Sequence, residues 1–195
     1  KVIGLSVSHE WIYQYVLADK ASGGKLYTHL RQGKRRYRKG YGQKRGRIPD
    51  AVSIELRPAI VDERSRLGDW EADLVLGKQG TGAIVTLAER KSRIYLTKKV
   101  FSKDAVEVSN AIISLLSDYR DTCHTITFDN GLEFSEHKAI AKALEAECYF
   151  AHPYASHERG LNENTNGLLR QFIRKGTDLR TVSEEDLQRY QSALN

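Results

Sequence analysis

The stretch WEADLVLGK, residues 70–78, alternates polar and apolar side chains with the period of two that a β-strand requires. One face would be apolar and the other would include two acids, namely Trp70, Ala72, Leu74 and Leu76 against Glu71, Asp73 and Val75. If the strand is central in a mixed sheet, both of its faces are covered, and Asp73 then needs a cationic partner. If it is an edge strand, Asp73 lies in water. This stretch leaves both positions open.

Further strands and helices are predicted after this stretch, in the overall order β-β-β-α-β-α-β-α. The strands are expected at 70–78, 83–93, 94–100, 124–131 and 147–152, and the first two helices at 104–119 and 136–146. The third helix lies within GLNENTNGLLRQF, residues 160–172, where Asn162 is a candidate N-cap. Strands in hairpins followed by strands joined through helices predict an α/β fold with a mixed five-stranded sheet and helices on its faces.

Positive charge is concentrated in one segment of the chain. Residues 20–49 contain eleven Lys or Arg and no Asp or Glu, whereas the whole chain contains 31 basic and 25 acidic residues. This segment cannot form a core of its own, but its cations can neutralise phosphates and its tyrosines can stack on bases. A solvated linker is the alternative interpretation. We predict that DNA is contacted by Lys34, Arg35, Arg36, Arg38 and Lys39.

Composition divides the chain into three parts. Residues 1–19 contain a short predicted helix, residues 20–50 form a flexible basic linker, and residues 51–195 carry the globular pattern. A single short helix is not stable alone, so residues 1–19 are predicted to be the tail of a truncated N-terminal module. The sequence contains no Met and stops within a helix-like run, so we expect a fragment trimmed at both ends.

Two further features concern the cellular compartment. No run approaches about 18 consecutive apolar residues, so we expect no membrane span. Cys123 and Cys148 border apolar runs and lack the spacing of a zinc site. We expect both to be buried free thiols in a reducing cytosol, which predicts a cytoplasmic protein.

Two other acids occupy positions that favour a site. Asp129 follows the strand TITF, and sites of α/β sheets are built at such strand ends, although an acid there can simply start a turn. Glu163 would enter the first turn of the third helix, where an anion is favoured, yet poor helix formers follow it. Such local conflict is expected at functional sites. With Asp73, these acids would form an all-oxygen pocket for two Mg²⁺ or Mn²⁺ ions, a pair that supports in-line phosphoryl displacement.

The motifs GDWEADLVLGK, TFDNGLEF and HPYASHERGLNENTNGLLRQFIRKG resemble the DDE transposases of bacterial insertion sequences, in particular the insertion-sequence-thirty family, which is related to retroviral integrases. That family has 33 residues between its second Asp and its Glu, and residues 130–162 separate Asp129 from Glu163 here. The resemblance runs over nearly the whole chain and implies a ribonuclease H-like fold. It assigns the catalytic, metal-binding triad to Asp73, Asp129 and Glu163.

The resemblance also implies a reaction and its partners. Metal-activated water would cut DNA at the transposon end, and the freed 3′-hydroxyl would then attack target DNA. The cofactors would be two divalent ions, Mg²⁺ or Mn²⁺. The partners would be transposon-end and target DNA and further copies of this chain. A helix-turn-helix DNA-binding region precedes the catalytic region in this family, and residues 1–19 would be its tail.

Some positions stay open under this resemblance. Asp69 and Glu71 are nearby alternatives to Asp73. Related integrases often place basic residues one and two turns after the Glu, to contact the transposon end; Arg170 fits that pattern and Gly167 departs from it. Arg159 is predicted to contact phosphate, with a solvated surface position as the alternative. A structure-selective nuclease of the same fold and a non-catalytic DNA-binding module are the rival functions.

Overall fold

The computed structural model describes residues 7–30, 48–153 and 155–195. The chain divides into two compact units, Lys1–Gln43 and Lys44–Asn195. In the first unit, helix α1 spans His9–Ala21, and a 3-10 turn follows at Leu26–His29. The short helix predicted within residues 1–19 is confirmed, and the Ser8 side chain caps it by accepting a hydrogen bond from the Trp11 amide.

The second unit is built on one five-stranded sheet. Its strands are β1 (Asp69–Leu76), β2 (Ala83–Glu89), β3 (Tyr95–Val100), β4 (Thr125–Phe128) and β5 (Glu147–Phe150). They are arranged in the order β3-β2-β1-β4-β5, with antiparallel pairing among the first three and parallel pairing of β1 with β4 and of β4 with β5. The mixed five-stranded sheet is confirmed, and β1 is its central strand.

One short helix precedes these strands, three helices lie between and after them in the predicted order, and a last helix follows those three. In chain order, these helices are α2 (Ala59–Glu63), α3 (Ala105–Leu116), α4 (His137–Leu144), α5 (Gly160–Phe172) and α6 (Glu184–Leu194). Short 3-10 turns occur at Ile54–Leu56, Ser117–Thr122, Leu132–Phe134, Ser156–Arg159 and Leu179–Thr181. The strand predicted at 124–131 stops at Phe128, so Asp129 stands just beyond the sheet.

The sheet has a buried cluster on each face. On one face, Trp70 and Ala72 of β1 pack with α3 and α4. On the other face, Val75 of β1 packs with Leu169 of α5, with Ile173 directly after that helix and with residues near α6. The alternation predicted for β1 is therefore confirmed, and its acidic face is the one that α5 covers.

The two cysteines are buried free thiols, as predicted. Burial raises the pKa of Cys123 and of Cys148 to about 12, so neither is ionised near neutral pH. Within the described ranges, the chain has no helix that is long and apolar enough to span a bilayer.

Candidate active site

Two of the predicted acids meet where the end of β4 lies beside the middle of β1. The parallel register pairs Asp69 with Thr125 and Glu71 with Thr127. When the same offset is continued, Asp73 is level with Asp129, the residue that follows β4. Both carboxylates contact the guanidinium of Arg159, so they face one small region.

Arg159 lies between these two carboxylates. Its Nη1 atom is 3.8 Å from Oδ1 of Asp73, and its Nη2 atom is 3.5 Å from Oδ2 of Asp129. Nη1 also donates a hydrogen bond of 3.0 Å to the carbonyl oxygen of Ala72. Its side chain is 12% exposed, so the alternative of a solvated surface arginine is wrong. Asp73 has the cationic partner that a carboxylate on a central strand requires.

The Asp73 carboxylate is held on both of its oxygens. The amide of Leu74 donates to Oδ1 at 2.9 Å, and Nδ2 of Asn166 donates to Oδ2 at 2.9 Å. Burial raises the pKa of Asp73 above its ordinary value, and Asp129 adds to this rise, while Arg159 opposes it. A cation that binds beside such a carboxylate stabilises its charged form.

Tyr95 fixes the side chain that holds Asp73. Its hydroxyl donates a hydrogen bond of 2.7 Å to Oδ1 of Asn166. The ring is fully buried, and burial raises the pKa of Tyr95, so the hydroxyl keeps its proton. With its oxygen engaged by Tyr95, the Asn166 amide presents its NH₂ group to Asp73. The sequence pattern gave no sign of Tyr95 or Asn166 in this role.

Glu71, one alternative to Asp73, forms an ion pair and a hydrogen bond that stabilise the fold. It is fully buried, and its Oε1 atom accepts from Nη1 of Arg90 at 2.5 Å. Its Oε2 atom accepts from the backbone amide of Asn162 at 2.9 Å. The other alternative, Asp69, is bound at 2.9 Å by two nitrogens of Arg66. Asp73 is therefore the acid of β1 that pairs with the same cation as Asp129.

The start of α5 differs from the prediction that Asn162 is its N-cap. The helix begins at Gly160 and Arg159 occupies the N-cap position, where its side chain has no acceptor to offer. Instead, the Glu71 carboxylate of β1 accepts from the Asn162 amide, one of the orphan donors of the first turn. Asn162 is fully buried, and its Nδ2 atom donates to the Glu71 carbonyl at 3.1 Å. The small polar residues of α5 thus bind the polar face of β1.

Glu163 lies in the first turn of α5, as predicted, and its side chain is exposed. It follows Arg159 by four residues and precedes Asn166 by three, so it shares a helix face with the two residues that contact Asp73. Among the described residues, no three His, Cys, Asp or Glu side chains are grouped closely enough to hold a metal ion. The structure brings Asp73 and Asp129 together, and the role of Glu163 stays a prediction.

The predicted DNA contacts have different positions. Arg170 is half-buried, and its Nη2 atom donates to the carbonyl oxygen of Leu76 at 2.7 Å. Its Nη1 atom is buried and has no hydrogen-bond partner among the described residues. The five basic residues of the linker lie outside the described residues, namely Lys34, Arg35, Arg36, Arg38 and Lys39.

His152 contacts two acids beside the segment that precedes α5, a role that the sequence pattern did not indicate. Nδ1 of His152 lies 2.8 Å from Oε1 of Glu158, and Nε2 lies 3.3 Å from Oε1 of Glu55. The hydrogen bond with Glu158 and the charges of both acids raise the pKa of His152. The residue that follows Glu158 is Arg159, so this contact helps to define where α5 begins.

Comparison with curated proteins gives relatives along most of the chain. This chain is 44% identical over 191 residues to the transposase for insertion sequence element IS4351 of Bacteroides fragilis, and the alignment covers 97% of this chain and 59% of the relative. It is 37% identical over 172 residues to the transposase InsI for insertion sequence element IS30A of Escherichia coli, covering 85% of this chain and 43% of the relative. The chain thus spans about half the length of these relatives. No family model matches it.

A solved structure shares the fold at low sequence identity. The chain aligns with the simian T-cell lymphotropic virus intasome in complex with PP2A regulatory subunit B56 gamma, with a TM-score of 0.51 and 17% identity. The alignment covers 66% of this chain and 47% of the other chain. This likeness concerns the fold alone, and it agrees with the observed sheet order, so the predicted ribonuclease H-like fold is confirmed.

Proposed function

Because this chain belongs to the family of insertion-sequence transposases, we propose that it carries the catalytic region for metal-dependent DNA cleavage and strand transfer in transposition. The observation that carries the proposal is the acid pair of Asp73 and Asp129, which already holds one cationic group, Arg159, between its carboxylates. In this proposal residues 51–195 form the catalytic domain, residues 20–50 a basic linker and residues 1–19 the tail of a DNA-binding module.

The residues present fit a divalent metal ion. Carboxylate oxygens are the ligands that Mg²⁺ and Mn²⁺ prefer, and Asp73 and Asp129 are directed at one common cation. Glu163 would supply the third carboxylate, from the turn of α5 between Arg159 and Asn166. Two bound ions would activate the attacking oxygen and stabilise the leaving oxygen of an in-line phosphoryl displacement.

The surrounding residues keep this acid pair in position. Asn166 orients the Asp73 carboxylate, and Tyr95 orients Asn166. Glu71 and Asn162 hold the first turn of α5 against β1, which sets where Glu163 stands relative to the strand. Such fixed orientation is what a catalytic centre requires of its supporting side chains.

A Mn²⁺ titration of the metal-binding pair tests this proposal. We expect Asp129→Asn to weaken Mn²⁺ binding, measured by calorimetry, by at least about tenfold, because the variant loses a charged ligand. Asp118→Asn is the matched control, since Asp118 is exposed in the 3-10 turn after α3 and the charge change is the same. Equal Mn²⁺ affinity in the wild type and in Asp129→Asn would contradict the proposed site.

DNA is the proposed partner of the basic linker. Neutralising Lys34, Arg35, Arg36, Arg38 and Lys39 together is expected to weaken binding to duplex DNA and to flatten its salt dependence. If all five contact phosphates, the slope of log K against log salt should fall by up to about 4.5, at about 0.9 for each contact. Fluorescence anisotropy at several salt concentrations measures this slope.

The control for this variant removes the same number of charges from the second unit. It neutralises five exposed cations, namely Lys91, Lys103, Arg120, Lys138 and Arg189. A linker that contacts DNA predicts a much larger change of slope in the first variant than in this control. The same slope in the first variant and in the wild type would mean that residues 20–50 are a solvated linker without DNA contacts.

Transposon-end and target DNA, and assembly of several copies on DNA, are proposed for the longer protein. The relatives are about twice as long as the region they share with this chain. The DNA-binding region of the family precedes the catalytic region, so we assign recognition of the transposon end to that region. The role of Arg170 in contacting this end is part of the same proposal.

A further inference from the structure

Arg159 is held loosely compared with another arginine of the same unit. Arg66 binds Asp69 through two hydrogen bonds of 2.9 Å, the usual distance for an arginine–carboxylate pair. The nitrogens of Arg159 lie 3.8 Å from Asp73 and 3.5 Å from Asp129, beyond that distance. Its Nε atom is buried and has no hydrogen-bond partner among the described residues. The guanidinium therefore neutralises the acid pair without forming a strong bidentate contact.

Its position is nevertheless specific. The side chain is 12% exposed, and its one short contact is the hydrogen bond to the Ala72 carbonyl. Arg159 precedes α5 directly, so it is tethered to the helix that carries Glu163. The guanidinium lies between the two carboxylates that the proposed function assigns to a metal ion. A bound divalent ion and this guanidinium would compete for the same carboxylate oxygens.

We propose that Arg159 is an exchangeable counter-ion, which neutralises Asp73 and Asp129 before metal binds and leaves them when metal enters. This inference rests on the proposed function, because it concerns the same acid pair. Metal then binds only to the fraction of molecules in which the guanidinium is displaced. The apparent dissociation constant for the metal therefore equals the intrinsic constant divided by that fraction. Arg159 accordingly lowers metal affinity, although it belongs to the site.

Removal of the guanidinium is therefore expected to tighten metal binding. We expect Arg159→Gln to bind Mn²⁺ about tenfold more tightly than the wild type, which corresponds to a competent fraction of about one tenth. Arg159→Lys keeps the charge but cannot reach two carboxylates with a planar fork, so its Mn²⁺ affinity should lie between the two. Without metal, Arg159→Gln should have a lower Tm than the wild type, and Mn²⁺ should raise its Tm more.

Calorimetric Mn²⁺ titration and thermal unfolding of the purified chain measure both effects. Arg120→Gln is the charge-matched control, since Arg120 is exposed and pairs with Glu145. Circular dichroism checks that each variant folds; if Arg159→Gln does not fold, the Arg159→Lys titration decides, with equal or weaker affinity than the wild type counting against the exchange. Equal or weaker affinity in a folded Arg159→Gln would likewise overturn it.

The result also separates this inference from the proposed function. If the wild type binds Mn²⁺ through Asp129 but Arg159→Gln binds no more tightly, the exchange is wrong and the metal site stands. If neither protein binds Mn²⁺, both the metal site and the exchange are wrong. If Arg159→Gln binds more tightly while Arg120→Gln matches the wild type, the exchange is supported, because net charge alone does not explain the gain.

Discussion

Replacing Glu163 by Gln is expected to reduce metal-dependent DNA strand cleavage by about 10³-fold or more while leaving the fold intact. The variant keeps the size and polarity of the side chain but loses the third carboxylate of the proposed site. Charge stabilisation by a bound metal contributes several kcal/mol to such a reaction, and about 4 kcal/mol corresponds to 10³-fold in rate. Cleavage of labelled duplex DNA in Mg²⁺ and in Mn²⁺ measures the loss.

Two further measurements make this result specific. Binding of the Glu163→Gln variant to non-specific duplex DNA should match the wild type, because the proposed DNA contacts lie elsewhere. Glu185→Gln is the matched control, since Glu185 is likewise an exposed acid in the first turn of a helix, α6. Cleavage at the wild-type rate by Glu163→Gln would remove Glu163 from the triad and leave Asp73 and Asp129 as the catalytic acids.

Replacing Glu71 by Gln is expected to lower the free energy of unfolding by about 3–5 kcal/mol, the usual cost of removing one partner of a buried ion pair. This cost applies in full to Glu71, because its side chain is buried, pairs with Arg90 and also accepts a hydrogen bond from the first turn of α5. The variant leaves the Arg90 charge buried with a weaker partner. Urea unfolding followed by fluorescence of the two tryptophans and by circular dichroism measures the change.

An exposed pair of the same residue types provides the comparison. Glu145 pairs with Arg120, and their side chains are 74% and 51% exposed. Glu145→Gln should change the free energy of unfolding by no more than about 1 kcal/mol, because water screens exposed pairs. If the two variants lose the same stability, burial of the Glu71–Arg90 pair does not have the energetic role assigned to it.

The alternation in residues 70–78 was sufficient to predict the strand and its two faces. It left open whether the strand is central, and only the observed central position requires a cation beside Asp73. Successive side chains of a strand point to opposite faces of the sheet, so a few neighbouring residues show which face is buried. The order of strands and helices was confirmed for the same reason, since each element has its own period. The prediction of a site at Asp129 followed from the rule that sites form at strand ends in α/β sheets, and the parallel register of β1 and β4 places this residue beside Asp73.

The partners of these acids could not be predicted in this way. Arg159 and Asn166 contact Asp73 across more than 80 residues of sequence, and no local period encodes such a contact. The prediction that Asn162 is the N-cap of α5 was wrong because a carboxylate from another element, Glu71, serves the first turn. The linker contacts and the role of Glu163 remain predictions.

The order of these elements along the chain has a consequence for protein synthesis. All five strands end by Phe150, and α5 begins at Gly160, so the ribosome releases both acids of the pair before it releases Arg159. The contacts that dock α5 join residues 91 and 93 positions apart, and long loops close slowly. A nascent sheet would therefore carry two neighbouring carboxylates before its own arginine is available, and until α5 docks only cations from solution could neutralise them.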